Sequence, residues 1–240
     1  MPADKLPSAE DGDMGSGERR IEVLPVNLGM VTSYIVKQDG IVLVDTGYPK
    51  SGEAICAELQ RRGIDPGTID LILLTHGHAD HAGSALWLRE TTGAPVALHE
   101  GDAGMVRSGR QGLLKPTCLT GQVLGILFAS GRMSEFSSFE PDILISEEYS
   151  LAAYGIDGTA IPTPGHTAGS ISIVLGSGDA IAGDSICPSI PFGRPGIPFW
   201  ADDPGEARAS IRRLMDRRPR RVFCGHGGPF SGDEIGTCMD

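Results

Sequence analysis

Four side chains that can bind a metal ion fall within six residues of this sequence, namely His76, His78, Asp80 and His81. They follow an apolar run at residues 69–74, which predicts a fully buried strand. A loop at the end of a strand can turn several ligands toward one point while the sheet holds it still. Imidazole nitrogen and carboxylate oxygen suit zinc, and also iron or manganese. Because Asp80 and His81 are adjacent and point away from the earlier histidines, two metal ions are favoured over one.

Three further candidate ligands follow strands predicted later in the chain. His166 lies in a Pro-Gly-His-Thr turn between two such strands. Asp184 follows the strand predicted at residues 180–182, and His226 follows the strand predicted at residues 221–224. Each position lies just past the end of a strand, where binding groups collect in folds built on sheets. These residues are therefore expected to complete the metal site begun by the first cluster.

Composition and charge narrow the class of protein. The length of 240 residues and the apolar fraction of 40% suit one large domain. The net charge of −11 disfavours binding to nucleic acid or to an acidic membrane surface. The five cysteines are scattered and form no CxxC pair, which is typical of reduced thiols in a cytoplasmic protein. No segment approaches the ~20 apolar residues of a membrane span.

The order of predicted elements indicates sheets covered by helices. Residues 1–20 are polar and are expected to form a mobile tail, whereas residues 21–240 are expected to form a single domain. Short strands are predicted at residues 21–28, 32–37, 41–44, 69–74, 96–98, 142–145, 159–161, 171–175, 180–182 and 221–224, the last being the final strand.

Three helices are predicted around these strands. The first is capped by Ser51 and runs to about residue 62, with Ala54, Ile55 and Leu59 on its buried face. The second follows the histidine-rich loop and continues to about residue 90. The third starts at an Asp-Pro-Gly-Glu sequence whose Asp203 is a strong N-cap. Its buried stripe is predicted to be Ala207, Ile211, Leu214 and Met215.

Residues 101–148 interrupt the alternation of strands and helices and are expected to form a lid-like insertion near the mouth of the site. An apolar amphipathic stretch at residues 119–133 lies inside this region. Whether that stretch is a lid, a dimer contact or part of the core stays open. Its apolar side chains could form an apolar wall of the substrate site. They are Leu119, Val123, Leu124, Leu127 and Phe128.

The combined motifs resemble those of the metallo-β-lactamase superfamily over residues 21–230. They are an early Val-Asp-Thr-Gly that contains Asp45, the HxHxDH cluster, the Pro-Gly-His-Thr turn, a later aspartate and a final histidine. The resemblance implies an α/β (α+β) fold, a four-layer αββα sandwich with metals at one edge between the sheets. It also implies that Asp45 orients a ligand.

The same resemblance assigns the ligands of two metal ions. His76, His78 and His166 would hold the first ion, and Asp80, His81 and His226 would hold the second. Asp184 would bridge the two. The expected cofactor is a pair of divalent ions, with zinc as the first choice and iron or manganese as alternatives.

The activity that this site implies is hydrolysis of a thioester, a lactone or another activated acyl ester by a metal-bound hydroxide, which Asp80 can orient as the catalytic residue. True β-lactamases usually carry Cys or Ser at the position of Asp184. Quorum-sensing lactonases carry a Tyr where this sequence has Cys187. The small glyoxalase-II-like branch, which does not have the C-terminal glutathione-binding domain, is therefore the expected one.

Two other functions stay open. An iron-dependent oxidoreductase similar to the persulfide dioxygenases would use the same ligand set on a sulfur compound. A metal-binding or regulatory protein without catalysis is the weaker option, because the ligand set is intact. The substrate is expected to be a small molecule, with no nucleic acid or membrane partner. The oligomeric state is not fixed by the sequence, and a homodimer is one option.

Overall fold

Two six-stranded sheets form the centre of the structure, a computed structural model that describes residues 20–128, 135–190 and 193–239. The predicted mobile tail lies outside these residues except for Arg20, and so do residues 129–133 of the predicted amphipathic stretch.

The strands, in chain order, are β1 (Glu22–Asn27), β2 (Thr32–Lys37), β3 (Ile41–Val44), β4 (Leu71–Leu73), β5 (Val96–His99), β6 (Ile143–Ile145), β7 (Tyr149–Ser150), β8 (Gly158–Pro162), β9 (Ile171–Leu175), β10 (Asp179–Ile181), β11 (Cys187–Pro188), β12 (Pro195–Gly196), β13 (Arg221–Phe223) and β14 (Phe230–Ser231). The α-helices are α1 (Gly52–Arg61), α2 (Ala79–Ala82), α3 (Ala85–Thr92), α4 (Ala103–Ser108), α5 (Leu119–Phe128), α6 (Pro204–Met215) and α7 (Gly232–Met239).

Each sheet mixes parallel and antiparallel pairs. The first has the order β1-β2-β3-β4-β5-β6, with antiparallel pairing from β1 to β3 and parallel pairing from β3 to β6. The second has the order β14-β13-β10-β9-β8-β7, in which β10 and β13 are parallel. Strands β11 and β12 form a small separate pair. The parallel pairs matter for function, because they bring the ends of successive strands to the same edge.

The first sheet is buried on both faces because successive residues of a strand point to opposite sides. Leu71 and Leu73 belong to an apolar cluster that lies between the two sheets. Ile72 and Leu74 belong to a different cluster, which includes Ile55 of α1 and residues of α3 and α4. This alternation explains the continuous apolar run of the sequence, since both faces of β4 are covered.

The second sheet shows the same arrangement. Ile181 of β10 packs into the cluster between the sheets, whereas Ala180 packs with Ile211 and Leu214 of α6 on the outer face. Helix, sheet, sheet and helix therefore follow one another, and the predicted αββα sandwich is confirmed. No helix in the described part of the chain is long and apolar enough to cross a membrane.

The helix predicted after the histidine-rich loop is present as α3, but the loop itself also contains the short helix α2, which the sequence did not predict, and Gly83 and Ser84 separate the two. A Cβ atom at Gly83 would lie 2.4 Å from the backbone nitrogen of Pro49, so the two segments approach closely here. The Ser84 hydroxyl donates to the carbonyl of Tyr48 at 2.7 Å and accepts from the amide of Gly52 at 3.1 Å. The break thus ties the ligand loop to the chain that precedes α1.

Three smaller predictions also need correction. The Ser51 side chain makes no cap bond, because the backbone of Ser51 is helical (φ −73°, ψ −16°) and not extended as in a capping residue. Ala54 is exposed, so the buried face of α1 consists of Gly52, Ile55 and Leu59. The strand ending near Cys224 is not the last one, because β14 follows it. Only two residues long, β14 has no alternating pattern for the sequence to show.

The capping difference between α6 and α1 gives a prediction. The Asp203 carboxylate accepts from the amides of Gly205 at 2.9 Å and Glu206 at 3.0 Å. We expect Asp203→Ala to lower the free energy of unfolding by about 1 kcal/mol, because two amides lose their acceptor. Ser51→Ala is the matched control and should cost less than about 0.5 kcal/mol. Urea unfolding followed by circular dichroism measures both, and equal losses would contradict the capping assignment.

Candidate metal centre

The loops that carry the predicted ligands meet at one edge of the two sheets. The first cluster of ligands follows β4 of the first sheet. Asp184 and His226 follow β10 and β13, whose parallel pairing places both residues at the same end. His166 lies in the turn from β8 to β9, and the antiparallel pairing of β9 with β10 puts that turn beside Asp184. All seven predicted ligands are therefore brought together by strand ends.

The first group of side chains consists of His76, His78 and His166. One nitrogen from each ring lies within 4.8 Å of those of the other two, and all three residues are buried. The Nδ1 atom of His166 is 2.8 Å from the carbonyl oxygen of Trp200. Because a carbonyl only accepts, this nitrogen carries the proton. His166 Nε2 is left as a lone pair that faces His78 Nδ1 at 3.0 Å.

The second group consists of His81, Asp184 and His226, again with ligand atoms within 4.8 Å of one another. Asp80 joins it, since one of its oxygens is 3.3 Å from His226 Nε2 and 3.9 Å from His81 Nε2. The Nδ1 atom of His226 donates to the carbonyl of Met30 at 2.6 Å. As in His166, the backbone fixes the tautomer and turns Nε2 inward.

Asp184 of the second group also faces the first group. Its Oδ2 atom is 3.8 Å from His166 Nε2 and 3.3 Å from His226 Nε2. Its Oδ1 atom is 3.4 Å from His81 Nε2. One carboxylate thus faces a ring of the first group and two rings of the second.

Asp45 contacts His81 of the second group at Nδ1, the ring nitrogen that faces away from the other ligands. Its side chain is buried and lies 2.8 Å from His81 Nδ1. It also accepts from the amide and the hydroxyl of Thr75, both at 2.8 Å. The backbone of Asp45 has a φ of 61°, a strained value for a residue other than glycine. The strain is tolerated because these contacts hold the carboxylate in place against His81.

Several buried polar atoms of the centre have no hydrogen-bond partner among the described residues. They are His76 Nε2, His81 Nε2 and Asp184 Oδ1. An unsatisfied buried polar atom costs about 1–3 kcal/mol. A cation between these atoms would remove that cost, and imidazole nitrogen with carboxylate oxygen is a donor set for divalent metals. The side chains therefore fit the metal ions that the ligand pattern predicts.

The charges of the two groups differ. Burial lowers the pKa of His226, but Asp184 and Asp80 outweigh it and raise that pKa to about 10. Burial likewise raises the pKa of Asp80, yet His81 and His226 bring it down to about 2. The second group thus attracts positive charge. In the first group, burial and the neighbouring His166 lower the pKa of His78 to about 3, which keeps this ring neutral and able to bind a metal.

Comparison with known proteins agrees with this geometry. The model of the metallo-beta-lactamase superfamily matches residues 26–226. The chain belongs to this superfamily. A probable metallo-hydrolase of Methanocaldococcus jannaschii, MJ0888, is 29% identical over 211 residues, which cover 86% of this chain and 89% of the relative. A hydroxyacylglutathione hydrolase of Acidiphilium cryptum is 27% identical over 175 residues, covering 72% of this chain and 57% of the relative.

Solved structures share the fold. The crystal structure of TTHA1623 in a di-iron-bound form superposes with a TM-score of 0.65 at 25% identity, covering 89% of this chain and 97% of that chain. The protein is thus a member of the metallo-β-lactamase superfamily that is similar to metallo-hydrolases. It has a cluster of His and Asp side chains able to bind metal.

Sequence reasoning missed several supports of this metallo-β-lactamase site. Asp102 and Gln111 lie in the region predicted as an insertion, yet they accept from the amides of Gly77 at 2.8 Å and Ala79 at 3.0 Å in the ligand loop. Asp102 comes soon after β5, and that position at a strand end was the available signal. The carbonyls that orient His166 and His226 leave no signal, because any residue type supplies one.

The contact between Asp45 and His81 gives a prediction for the metallo-β-lactamase site. In Asp45→Asn, an amide can face the His81 ring and move its proton to Nε2, the atom that points into the centre. We expect zinc affinity at the second group to fall roughly 10–100-fold. Competition with a chromophoric chelator measures it. Asp70→Asn is the control, because it neutralises a carboxylate that accepts from the Ile41 amide just before β4, at the opposite end of that strand from the ligands. Unchanged zinc affinity in Asp45→Asn would overturn the assignment.

Proposed function

We propose that this chain is a dinuclear metal-dependent hydrolase that cleaves a thioester or another activated acyl ester. The observation that carries the proposal is the position of Asp184, whose two oxygens face both groups of ligands. In the proposal, the first metal is held by His76, His78 and His166, the second by Asp80, His81 and His226, and Asp184 bridges them.

Zinc is the proposed metal, with iron or manganese as alternatives that the same ligands accept. The di-iron form of TTHA1623 shows that a structural relative of similar length holds iron. When bound, a pair of divalent ions acidifies a water molecule and polarises the carbonyl that this water attacks. The protein contributes the arrangement of ligands and the groups that orient water and substrate.

Asp80 is the proposed catalytic residue among the side chains of the centre. Its side chain keeps 19% of its surface exposed, whereas that of His81 is fully buried. The pKa of Asp80 is lowered, so its carboxylate stays ionised and can accept a hydrogen bond from water. An ionised carboxylate at the solvent side of the centre can accept a hydrogen bond from the attacking water and so orient it.

A shallow pocket beside the first group suits an apolar acyl portion. His78 and His166 form its inner end, and Met105, Leu113 and Leu114 contribute apolar walls. Leu113 is 92% exposed, so a ligand that covers it removes a large apolar surface from water. Lys115, paired with Asp202 at 3.0 Å, also lines the pocket.

Of the apolar wall that the sequence predicted, the side chains of Leu124, Leu127 and Phe128 lie outside those that the structure describes. Leu119 is 75% exposed and Val123 is 52% exposed, and neither lines this pocket. The segment nevertheless contacts the site, because Trp200 donates from its indole nitrogen to the carbonyl of Gly121 at 3.1 Å. The carbonyl of Trp200 in turn orients His166. The start of α5 is thus connected to the first group through Trp200, which supports the proposal that this segment is a lid.

The proposed substrate class rests on one relative and on charge. The relative from Acidiphilium cryptum is by name a hydrolase of hydroxyacylglutathione, and the match covers 57% of that protein. The net charge of −11 weighs against a polyanion such as RNA. A small thioester with an apolar acyl chain satisfies both constraints.

The test uses acyl thioesters of rising chain length with the zinc-loaded protein, beside simple lactones, glutathione persulfide and a short RNA. We expect kcat/KM to rise with chain length, because each buried methylene contributes about 0.8 kcal/mol. Leu113→Ser should flatten this dependence. Leu144→Ser, which changes a leucine of β6 that is 46% exposed and does not line the pocket, should leave it unchanged.

Other outcomes would overturn the proposal. Consumption of persulfide by the iron-loaded protein, with no thioester cleaved by either metal form, would identify an oxidoreductase. Efficient cleavage of the RNA with indifference to acyl chain length would identify a nuclease. A zinc-loaded protein that acts on none of these substrates would remove the claim of acyl hydrolysis.

A further inference from the structure

A second buried aspartate, Asp102, joins the two loops that carry the first group of histidines. Its Oδ2 atom accepts from the amide of Gly77 at 2.8 Å and from the hydroxyl of Thr167 at 2.7 Å. Its Oδ1 atom accepts from the amide of Gly169 at 2.8 Å. Gly77 separates His76 from His78, and Thr167 follows His166. One fully buried carboxylate therefore holds the backbone on both sides of the first group.

The glycines around Asp102 fit this role. A Cβ atom at Gly169 would lie 2.5 Å from the backbone nitrogen of Asp102, and one at Gly101 would lie 2.8 Å from the carbonyl carbon of Ala168. Neither Gly101 nor Gly169 has a positive φ. Glycine is thus required here by the close approach of two backbones and not by an unusual backbone conformation. The close approach of Asp102 to the His166 loop therefore requires a glycine in each of the two segments, Gly101 in one and Gly169 in the other.

The second group of ligands has its own support. Asp45 holds His81, and the carbonyl of Met30 holds His226. Asp102 makes no hydrogen bond to either of these residues in the described part of the chain. Asp45 thus acts on a ring nitrogen of the second group and reaches His76 Nδ1 of the first group only through the Thr75 hydroxyl, which lies 3.1 Å from that nitrogen. Asp102 acts on two backbone amides and one hydroxyl of the loops that carry the first group.

We propose that Asp102 is a positioning residue that fixes the distance between the His76–His78 loop and the His166 loop, and thereby sets metal affinity at the first group alone. This rests on the proposed metal binding of the centre but not on the proposed substrate. The ring nitrogens of His78 and His166 are 3.0 Å apart, and Asp102 accepts from the Gly77 amide beside His78 and from the Thr167 hydroxyl beside His166. Without it, nothing else described bonds the Gly77 amide to the body of the protein.

The test measures metal affinity in two backgrounds. In His226→Ala, the first group is intact, and Asp102→Ala should weaken zinc binding there roughly 10–100-fold. In His78→Ala, the second group is intact, and the same substitution should change affinity less than about 2-fold. Chelator competition gives both values. Spectra of the cobalt-loaded proteins, which report the geometry around the ion, should change in the first background only.

Two further sets of variants separate positioning from general stability. Thr167→Val removes one donor to Asp102 and should weaken zinc binding in the first background, whereas Thr167→Ser keeps the hydroxyl and should restore it. Asp179→Asn disrupts a different buried carboxylate, bonded to Arg221 at 2.8–2.9 Å at the start of β10. It should lower the unfolding midpoint without changing zinc affinity.

Clear results would overturn the inference. If Asp102→Ala lowers the unfolding midpoint but leaves zinc affinity unchanged in both backgrounds, Asp102 is a structural residue only. If it weakens both groups equally, its action is not specific. If Asp102→Ala does not fold, equal affinities for Thr167→Val and Thr167→Ser contradict the proposal. A wild-type protein that binds two metals but cleaves no acyl ester would refute the proposed function and leave this inference standing.

Discussion

The structure depends on a cluster of ring nitrogens and carboxylates that face one another in a buried space. His81, His166 and His226 each have one ring nitrogen bonded to a carboxylate or a carbonyl, and each turns the other nitrogen inward. Asp80 and Asp184 add negative charge to the same volume. Lone pairs and carboxylates that face one another repel unless a cation lies between them. The centre is therefore built for positive charge, and the surrounding fold holds it in a geometry that it would not adopt alone.

The two sheets supply that restraint. The ligand loop leaves a strand covered on both faces, and the other ligands leave strands of the second sheet. The apolar cluster between the sheets fixes their separation, so it also fixes the distance between ligands from different sheets. Additional bonds cross the gap, such as the hydroxyl of Tyr34, which donates to the carbonyl of Cys224 at 2.6 Å just before His226. The geometry of the ligands thus depends on the packing between the two sheets.

The fold and the ligand loops could be predicted because both depend on side-chain identity. Short apolar runs mark the strands, and metal chemistry requires particular residue types near strand ends. The supports of the ligands could not be predicted in the same way. The carbonyls of Met30 and Trp200 carry no sequence signal, and Asp102 lies in a region whose irregular pattern indicated only an insertion. The failure of Ser51 as a cap has a similar cause, because the helical backbone conformation of Ser51 cannot be read from its residue type.

The central claim is that Asp184 joins two metal sites into one centre. Titration of the metal-free protein with zinc, followed by calorimetry and elemental analysis, tests it most directly. The account predicts two equivalents of zinc per chain in the wild type. In Asp184→Asn, the loss of one negative charge shared by both groups should weaken both equivalents. A wild-type stoichiometry of one, or an Asp184→Asn protein that binds both equivalents with wild-type affinity, would contradict the account.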